Sequence, residues 1–294
     1  MIYYFGDKKT ESYFEGWYFK CKTSDGQCLA LIPAVHLDET GHKTVSLQLI
    51  TENRSWWLEY PACSFSALTE LFRIQIGENV FSEQGLQLSI HDEGIDLEGR
   101  IIFGPFCRLT YPIMGPFQWI PRLECYHSII SMKHVLKGAL VLNGARYDFH
   151  EGIGYIESDR GSSFPSAYLW VQDLWDEGSV MLSIARIPLG QLNFTGCICS
   201  IILNGKTYRF ATYLGARVMY WSCRSAKVQQ GLYRLEVEAG KKRELPLKAP
   251  SDGKMVRTVH ESLSSVVRIC LYRGKKILLE RLADGASFEY ADRS

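Results

Sequence analysis

The sequence predicts an all-β protein built from two antiparallel units, on three observations. Apolar residues alternate with period two, turn signals recur every 8 to 15 residues, and no window of a dozen residues shows a capped 3.6-residue apolar stripe. LQLSIHDEGIDLEGRI (86–101) alternates through Leu86, Leu88 and Ile90, turns at Asp92-Glu93-Gly94, and alternates again through Ile95 and Leu97. YRLEVEA (233–239) repeats the pattern, and VVRICLYRGKKILLE (266–280) sets two apolar runs around Arg273-Gly274-Lys275-Lys276. Asn-Gly dipeptides at 143/144 and 204/205 mark tight hairpins, because both residues accept the positive φ that such turns need.

Two features predict more than one unit. LNGARYDF (142–149) and LNGKTYRF (203–210) share one pattern, each after an apolar strand. GPFCRLTYPIMGPFQWIPRLE (104–124) has four prolines and two glycines in its first 18 residues. Proline cannot donate to a strand ladder, so this stretch reads as a crossing segment. The expected division is therefore 1–121 and 122–294.

Composition removes several function classes. With 33 Lys plus Arg against 32 Asp plus Glu, no strong field favours nucleic acid or an anionic membrane. No run approaches the roughly 18 apolar residues of a membrane span. MIYYFGDKKTES lacks the pattern of a secretory or transit peptide, so a cytoplasmic location is expected, with peripheral membrane contact left open. Nine cysteines, without C-x-x-C, argue against a disulfide framework. Cys197 and Cys199 share a strand face and read as core rather than as a zinc pair, so no metal and no cofactor is expected. Ser162-Ser163 sits in no nucleophile elbow, and GIGYIE lacks the third glycine of a dinucleotide fingerprint.

Acids set among rings are what remains. YFEGWYFK (13–20) places Glu15 between aromatic residues that include Trp17. In ECYHSIISMKH a strand would put Glu124 and Tyr126 on one face and Cys125 and His127 on the other. In GIGYIESDRGSSFPSAYLWVQ, Tyr155, Glu157 and Asp159 share a face, as do Tyr168, Trp170 and Gln172. A carboxylate inside a strand is costly unless partnered, so these positions ask for a reason.

FEGWYFK, GENVFS (77–82), GPFQWIPRLECYHSIISM, GYIESDRGSSFPSAYLWVQ and the tail HESLSSVVRICLY together resemble the tocopherol cyclase family in order and approximate spacing. That resemblance implies a pair of lipocalin-like antiparallel β-barrel or sandwich units, similar to carotenoid hydratases. It also implies closure of a ring from a phenol and a prenyl double bond. The compact chain, without a plastid leader, resembles a bacterial member, so its substrate is expected to be a different prenylated or polyketide-like molecule.

Such chemistry has physical requirements of its own. Protonating a trisubstituted alkene needs a strong local acid in a dry site. A carboxyl kept neutral by burial meets that need, and aromatic faces stabilise the cation by roughly 0.5 to 2 kcal/mol each. The expected proton donors are Glu157 or Asp159, then Glu124, with His127 orienting a carboxylate or taking the phenolic proton. Tyr126 or Tyr155 would supply a hydrogen bond. Trp17, Trp119 and Trp170 would lie along the ligand, Gln172 would bind its polar head, and Glu15 would help build the wall. The plainer readings are that these acids pair with arginines and that His127 and the tryptophans are core. Three functions stay open: an acid-initiated cyclase or hydratase, a carrier of a lipid or isoprenoid, and an interaction protein braced by its acids.

Overall fold

A computed structural model describes residues 2–189, 192–240 and 243–293, and the chain is all-β as the alternation predicts. The first sheet contains β1 (Tyr13–Lys22), β2 (Cys28–Leu37), β3 (Lys43–Thr51), β4 (Ser55–Tyr60), β5 (Phe65–Ala67), β6 (Arg73–Ile76), β7 (Asn79–Ser82), β8 (Gly85–Asp92), β9 (Ile95–Phe103), β10 (Cys125–Leu142), β11 (Ala145–Asp148) and β12 (Gly152–Gly161). The second contains β13 (Ala167–Trp175), β14 (Gly178–Leu189), β15 (Leu192–Leu203), β16 (Lys206–Ala211), β17 (Arg217–Trp221), β18 (Ser225–Gln230), β19 (Tyr233–Ala239), β20 (Leu245–Ser251), β21 (Lys254–Arg273) and β22 (Lys276–Asp292). Their orders are β4-β3-β2-β1-β12-β10-β9-β8-β7-β6-β5, with β11 on β10, and β16-β15-β14-β13-β22-β21-β19-β18-β17, with β20 on β21.

The expected hairpins form. β8 and β9 pair across the Asp92–Ile95 turn, with Gly94 at φ 77°. Asn143 and Gly144 adopt φ 49° and 81° between β10 and β11, and Asn204 and Gly205 adopt 48° and 74° between β15 and β16. Positive φ at both central residues matches the right-handed twist of the flanking strands.

The division at residue 121 is corrected by the pairing. One compact unit comprises residues up to 109, 122–164 and 248–257; the other comprises 110–121, 165–247 and 258 onward. Residues 122–164 stay with the first unit because β10 pairs β9 and β12 pairs β1. The proline-rich segment joins the second unit through Arg209, which donates from Nη1 to Tyr111 O at 3.0 Å and from Nη2 to Pro112 O at 2.8 Å and Ile113 O at 3.2 Å. Tyr213 Oη adds a bond to Ile113 O at 2.9 Å. Its ring also lies against Gly115, where a Cβ would come within 2.4 Å of Cζ. The proline-rich segment thus interrupts the first sheet between β9 and β10, and which strands lie on either side of it is a long-range matter.

Each unit has its own core. Trp17, Phe19, Leu31, Leu47, Phe81, Leu97 and Ile156 fill the first. Leu169, Val171, Leu182, Ile269, Phe288 and, as expected, Cys197 and Cys199 fill the second. Each such large side chain contributes about 1.5–3 kcal/mol through burial. Among the described residues, no helix is long and apolar enough to cross a membrane.

Candidate active site

The period-two geometry of β12 decides what can meet. Ile156 points into the first core, so Tyr155, Glu157 and Asp159 point to the other side of the sheet. In register, β10 sets His127 directly opposite Asp159 and Ile129 opposite Glu157, while β1 sets Tyr18 opposite Glu157 and Lys20 opposite Tyr155. Directly paired residues share a face, so these side chains lie together on one side of the sheet, with Tyr18, Lys20, Tyr155 and Glu157 buried and His127 and Asp159 half-buried.

At the centre of this cluster is an imidazole between two carboxylates. His127 Nδ1 lies 2.8 Å from Asp159 Oδ1, and Nε2 lies 3.3 Å from Glu157 Oε2. The second contact is close enough for charge pairing but lacks the alignment of a hydrogen bond. Tyr155 Oη donates a short hydrogen bond to Glu157 Oε2, and Cys125 Sγ approaches Asp159 Oδ1 at 3.6 Å. Glu157 is 4% exposed. Burial alone would lower the pKa of His127, but the Asp159 and Glu157 charges outweigh it and hold the imidazolium well above its usual range. Burial, reinforced by the neighbouring Glu157 charge, pushes the Tyr155 hydroxyl well up, so it stays a donor. Burial also raises the Cys125 thiol well above its usual range, so it is no ready nucleophile.

A His and two carboxylates within one another's reach also form a potential cation set. Here, however, the two ring nitrogens face different carboxylates. An ion on Nε2 and Glu157 would leave Asp159 on the opposite nitrogen, so the geometry favours a proton path over a shared metal.

Glu15 belongs elsewhere. It is paired across the ladder with Arg160 and Val35, on the core-facing side of the first sheet. Tyr13 Oη donates to its Oε2 at 2.7 Å and the Phe5 amide at 2.9 Å. Burial raises its pKa to about 7, against the opposing pull of these bonds and of Arg160. Arg160 stacks on Phe5 at 3.8 Å and on Tyr126 at 4.8 Å, which places Tyr126 with this group and away from His127. Trp17 is wholly buried in the first core against Tyr4 and Phe65. Glu124 lies just before β10, half-buried, and its carbonyl accepts from the Ser162 and Ser163 amides. Burial raises the Glu124 pKa, helped by Asp252 and opposed by Arg257.

Trp119, Trp170 and Gln172 are in the second unit. Trp119 is 76% exposed on a single 3₁₀ turn, Gly115–Trp119. Trp170 and Gln172 share the β13 face turned away from the second core, together with Tyr168, which donates a short bond to Glu289. Glu289 stands directly opposite a second buried acid, Glu261.

Tyr18, Lys20 and Glu289 were not expected at these clusters, whereas Cys125 shares the His127 face as the alternation predicts. For the first two the signal was available: in YFEGWYFK they fall two apart on one strand face, opposite the face of Glu15. For Glu289 there was none, since its tyrosine partner is 121 residues away.

No protein-family profile matches the chain, and no curated protein matches it. Among solved structures it is similar to kievitone hydratase from Nectria haematococca, at 10% identity and TM-score 0.57, over 95% of this chain and 89% of the other. It is also similar to a protein provisionally assigned as an AttH from Nitrosomonas europaea, at 12% identity and TM-score 0.56, over 96% and 93%. At such identities the likeness establishes a shared fold.

Proposed function

We propose that the first unit's cluster catalyses acid-initiated addition of water to a carbon–carbon double bond in an apolar small molecule. The observation that carries this is His127 held between two carboxylates, the buried Glu157 and the half-buried Asp159, one on each ring nitrogen. The imidazolium so placed keeps its Nδ1 proton toward Asp159 and can hand its Nε2 proton to Glu157 and take one back, so the cluster can supply and recover a proton.

Glu157, protonated through His127, gives its proton to the less substituted alkene carbon; the C=C π pair forms the new C–H bond. The resulting tertiary cation is captured by water. Glu157, left as the carboxylate, takes the proton lost by that water and returns it to His127 Nε2, which restores the imidazolium, while Asp159 accepts the Nδ1–H hydrogen bond throughout. Tyr155 keeps Glu157 oriented through its hydrogen bond to Oε2, and burial shields Glu157 itself. The likeness in fold to a protein named for hydrating kievitone supports this reading over others.

A second reading uses the same cluster with an internal phenol as the nucleophile, which closes a ring instead. The resemblance of ECYH and GYIESDRGSSFPSAYLWVQ to tocopherol cyclases favours it.

One experiment separates the two. The protein is incubated with a prenylated phenol in heavy-oxygen water, and the products are read by mass spectrometry. Hydration gives a product heavier by one labelled water; cyclisation gives an unlabelled isomer of the substrate. Either product must vanish in Glu157→Gln. Turnover that survives that substitution, or none across a panel of prenylated phenols, sinks the proposal.

A further inference from the structure

The near balance of 33 cations and 32 acids over the whole chain hides a local asymmetry in the second unit. Between Glu177 and Glu236 the sequence has no Asp or Glu, yet it has Arg217 and Arg224 along with other Lys and Arg residues. Arg209 holds the carbonyls of residues 111–113, and Lys227 and Arg234 pair with Glu236. Arg217 and Arg224 have no carboxylate partner among the described residues. Residues 110–121, TYPIMGPFQWIP, have no charge at all. The two stretches meet within the unit. The 3₁₀ turn Gly115–Trp119 packs on a second, Thr212–Leu214, with the Phe117 ring 5.5 Å from that of Tyr213.

What these segments turn outward is apolar. Trp119, Leu214 and Tyr111 are all exposed, Trp119 the most of any large apolar side chain described. β17 follows just after Leu214 and is the last strand in the order of its sheet. Val218 stands against the core residue Val228, so strict alternation would turn Tyr220 inward as well. A bulge shifts the register between them instead, and sets Tyr220 opposite Lys227 and Trp221 opposite the core residue Ala226. The extra residue leaves Met219 and Tyr220 both outside, 58% and 51% exposed. A bulge disrupts the ladder, and two large apolar side chains held in water return nothing to the stability of the fold. Arg217 opens the same strand and Arg224 lies just past its end, so cations bracket the exposed pair.

We propose that this strip, from Trp119 and Tyr111 through Leu214 to Met219 and Tyr220, docks on an anionic phospholipid surface. Trp and Tyr rings suit the headgroup level, where one end is apolar and the other wet. Leu214 and Met219 reach the acyl boundary, and Arg217 and Arg224 meet lipid phosphates. The lack of acids matters as much as the arginines, because a carboxylate in the strip would be repelled by the same surface. The occupant is a surface and not a buried ligand, so the exposed side chains are themselves the place of contact. None of these residues belongs to the His127 cluster, and the proposal stands or falls independently of it.

The test is co-sedimentation of the full chain with vesicles of phosphatidylcholine alone and of phosphatidylcholine mixed with phosphatidylglycerol. The chain is expected to bind the mixed vesicles, at least about fivefold less of the neutral ones, and to be released by salt. Trp119→Ser combined with Met219→Ser must weaken binding to mixed vesicles by about tenfold or more. Arg217→Gln combined with Arg224→Gln must weaken it by about tenfold and abolish the preference for phosphatidylglycerol. These side chains are exposed, so the variants fold, which unchanged thermal melting verifies. Leu282→Ser, equally exposed but on β22, must bind as wild type does. Binding to neither vesicle, equal binding to both, wild-type binding in a strip variant, or equal loss in Leu282→Ser would each overturn the proposal. So would a dimer in sedimentation velocity without vesicles that Trp119→Ser with Met219→Ser renders monomeric, since the strip would then serve a second copy of the chain.

Discussion

His127 and Asp159 stand directly opposite each other across β10 and β12, with Nδ1 2.8 Å from Oδ1. The same ladder brings Glu157 to the other ring nitrogen. An imidazolium with a carboxylate on each side is far harder to deprotonate than a free one. Its pKa rises despite burial, so its stabilising contribution is fully present below the ordinary histidine range and is lost as pH rises through the elevated folded value. His127→Gln is therefore expected to be destabilised at neutral pH, with the gap to wild type narrowing as pH rises into the alkaline range. Urea midpoints measured across pH check this; a gap independent of pH would refute it.

Glu15 titrates in a different window. Its folded pKa of about 7 lies above the ordinary 4.5, so the neutral acid is the form that suits the fold. The contribution is complete below the unfolded value and disappears as pH rises through 7, on the order of 3 kcal/mol over that interval. Glu15→Gln should flatten this slope while leaving Glu157-dependent turnover in place. An unchanged slope between pH 4.5 and 7 would show that Glu15 is not the group responsible.

Tyr155→Phe removes the hydroxyl that donates to Glu157 while keeping the ring. A buried carboxylate that loses one partner costs about 1–3 kcal/mol. If Tyr155 orients Glu157 in the proposed reaction, kcat falls and its pH profile shifts, whereas KM moves little. A variant destabilised but kinetically normal would assign Tyr155 a structural role only.

Gly161 ends β12 at φ 155°, and a Cβ there would come within 2.0 Å of the Glu124 carbonyl oxygen. Backbone cannot yield as a flexible side chain does. Gly161→Ala should therefore push β10 off β12 at Cys125–His127 and cost more than about 2 kcal/mol, with loss of the His127–Asp159 contact. Calorimetry and the His127 ring resonances measure the two effects, and a shift of under about 1 kcal/mol would count against it.

Arg209→Lys replaces a planar fork that reaches three carbonyls with a single ammonium. The expected result is faster proteolytic cleavage within 110–121, with the first unit's chemistry unaffected. Cleavage at the wild-type rate would show that Arg209 does not fasten this segment.

The strands and the faces of individual side chains were legible in the sequence, because a strand alternates faces residue by residue regardless of its partner. Tyr155, Glu157 and Asp159 could thus be placed on one side, and Cys125 with His127 on one side of the next strand. The Asn-Gly turns were legible for an equally local reason. What could not be read was which face of β12 meets which face of β10 and β1, since that depends on register between strands about 30 and 140 residues apart in the chain.

For that reason the expected site divides. Sequence alone gathered Glu15, Trp17, Tyr126, Glu124 and the Glu157 group because all are acids and rings in related motifs. The ladder instead puts Glu15, Trp17 and Tyr126 on one side of the sheet and Glu157, Asp159 and His127 on the other. The sequence by itself determined the all-β class, the hairpins and the residue types able to move a proton. Only tertiary structure decided that residues 122–164 close onto the first unit, and that one histidine bridges two carboxylates. Local backbone geometry is written residue by residue, whereas strand partners are chosen by burial summed over the whole sheet.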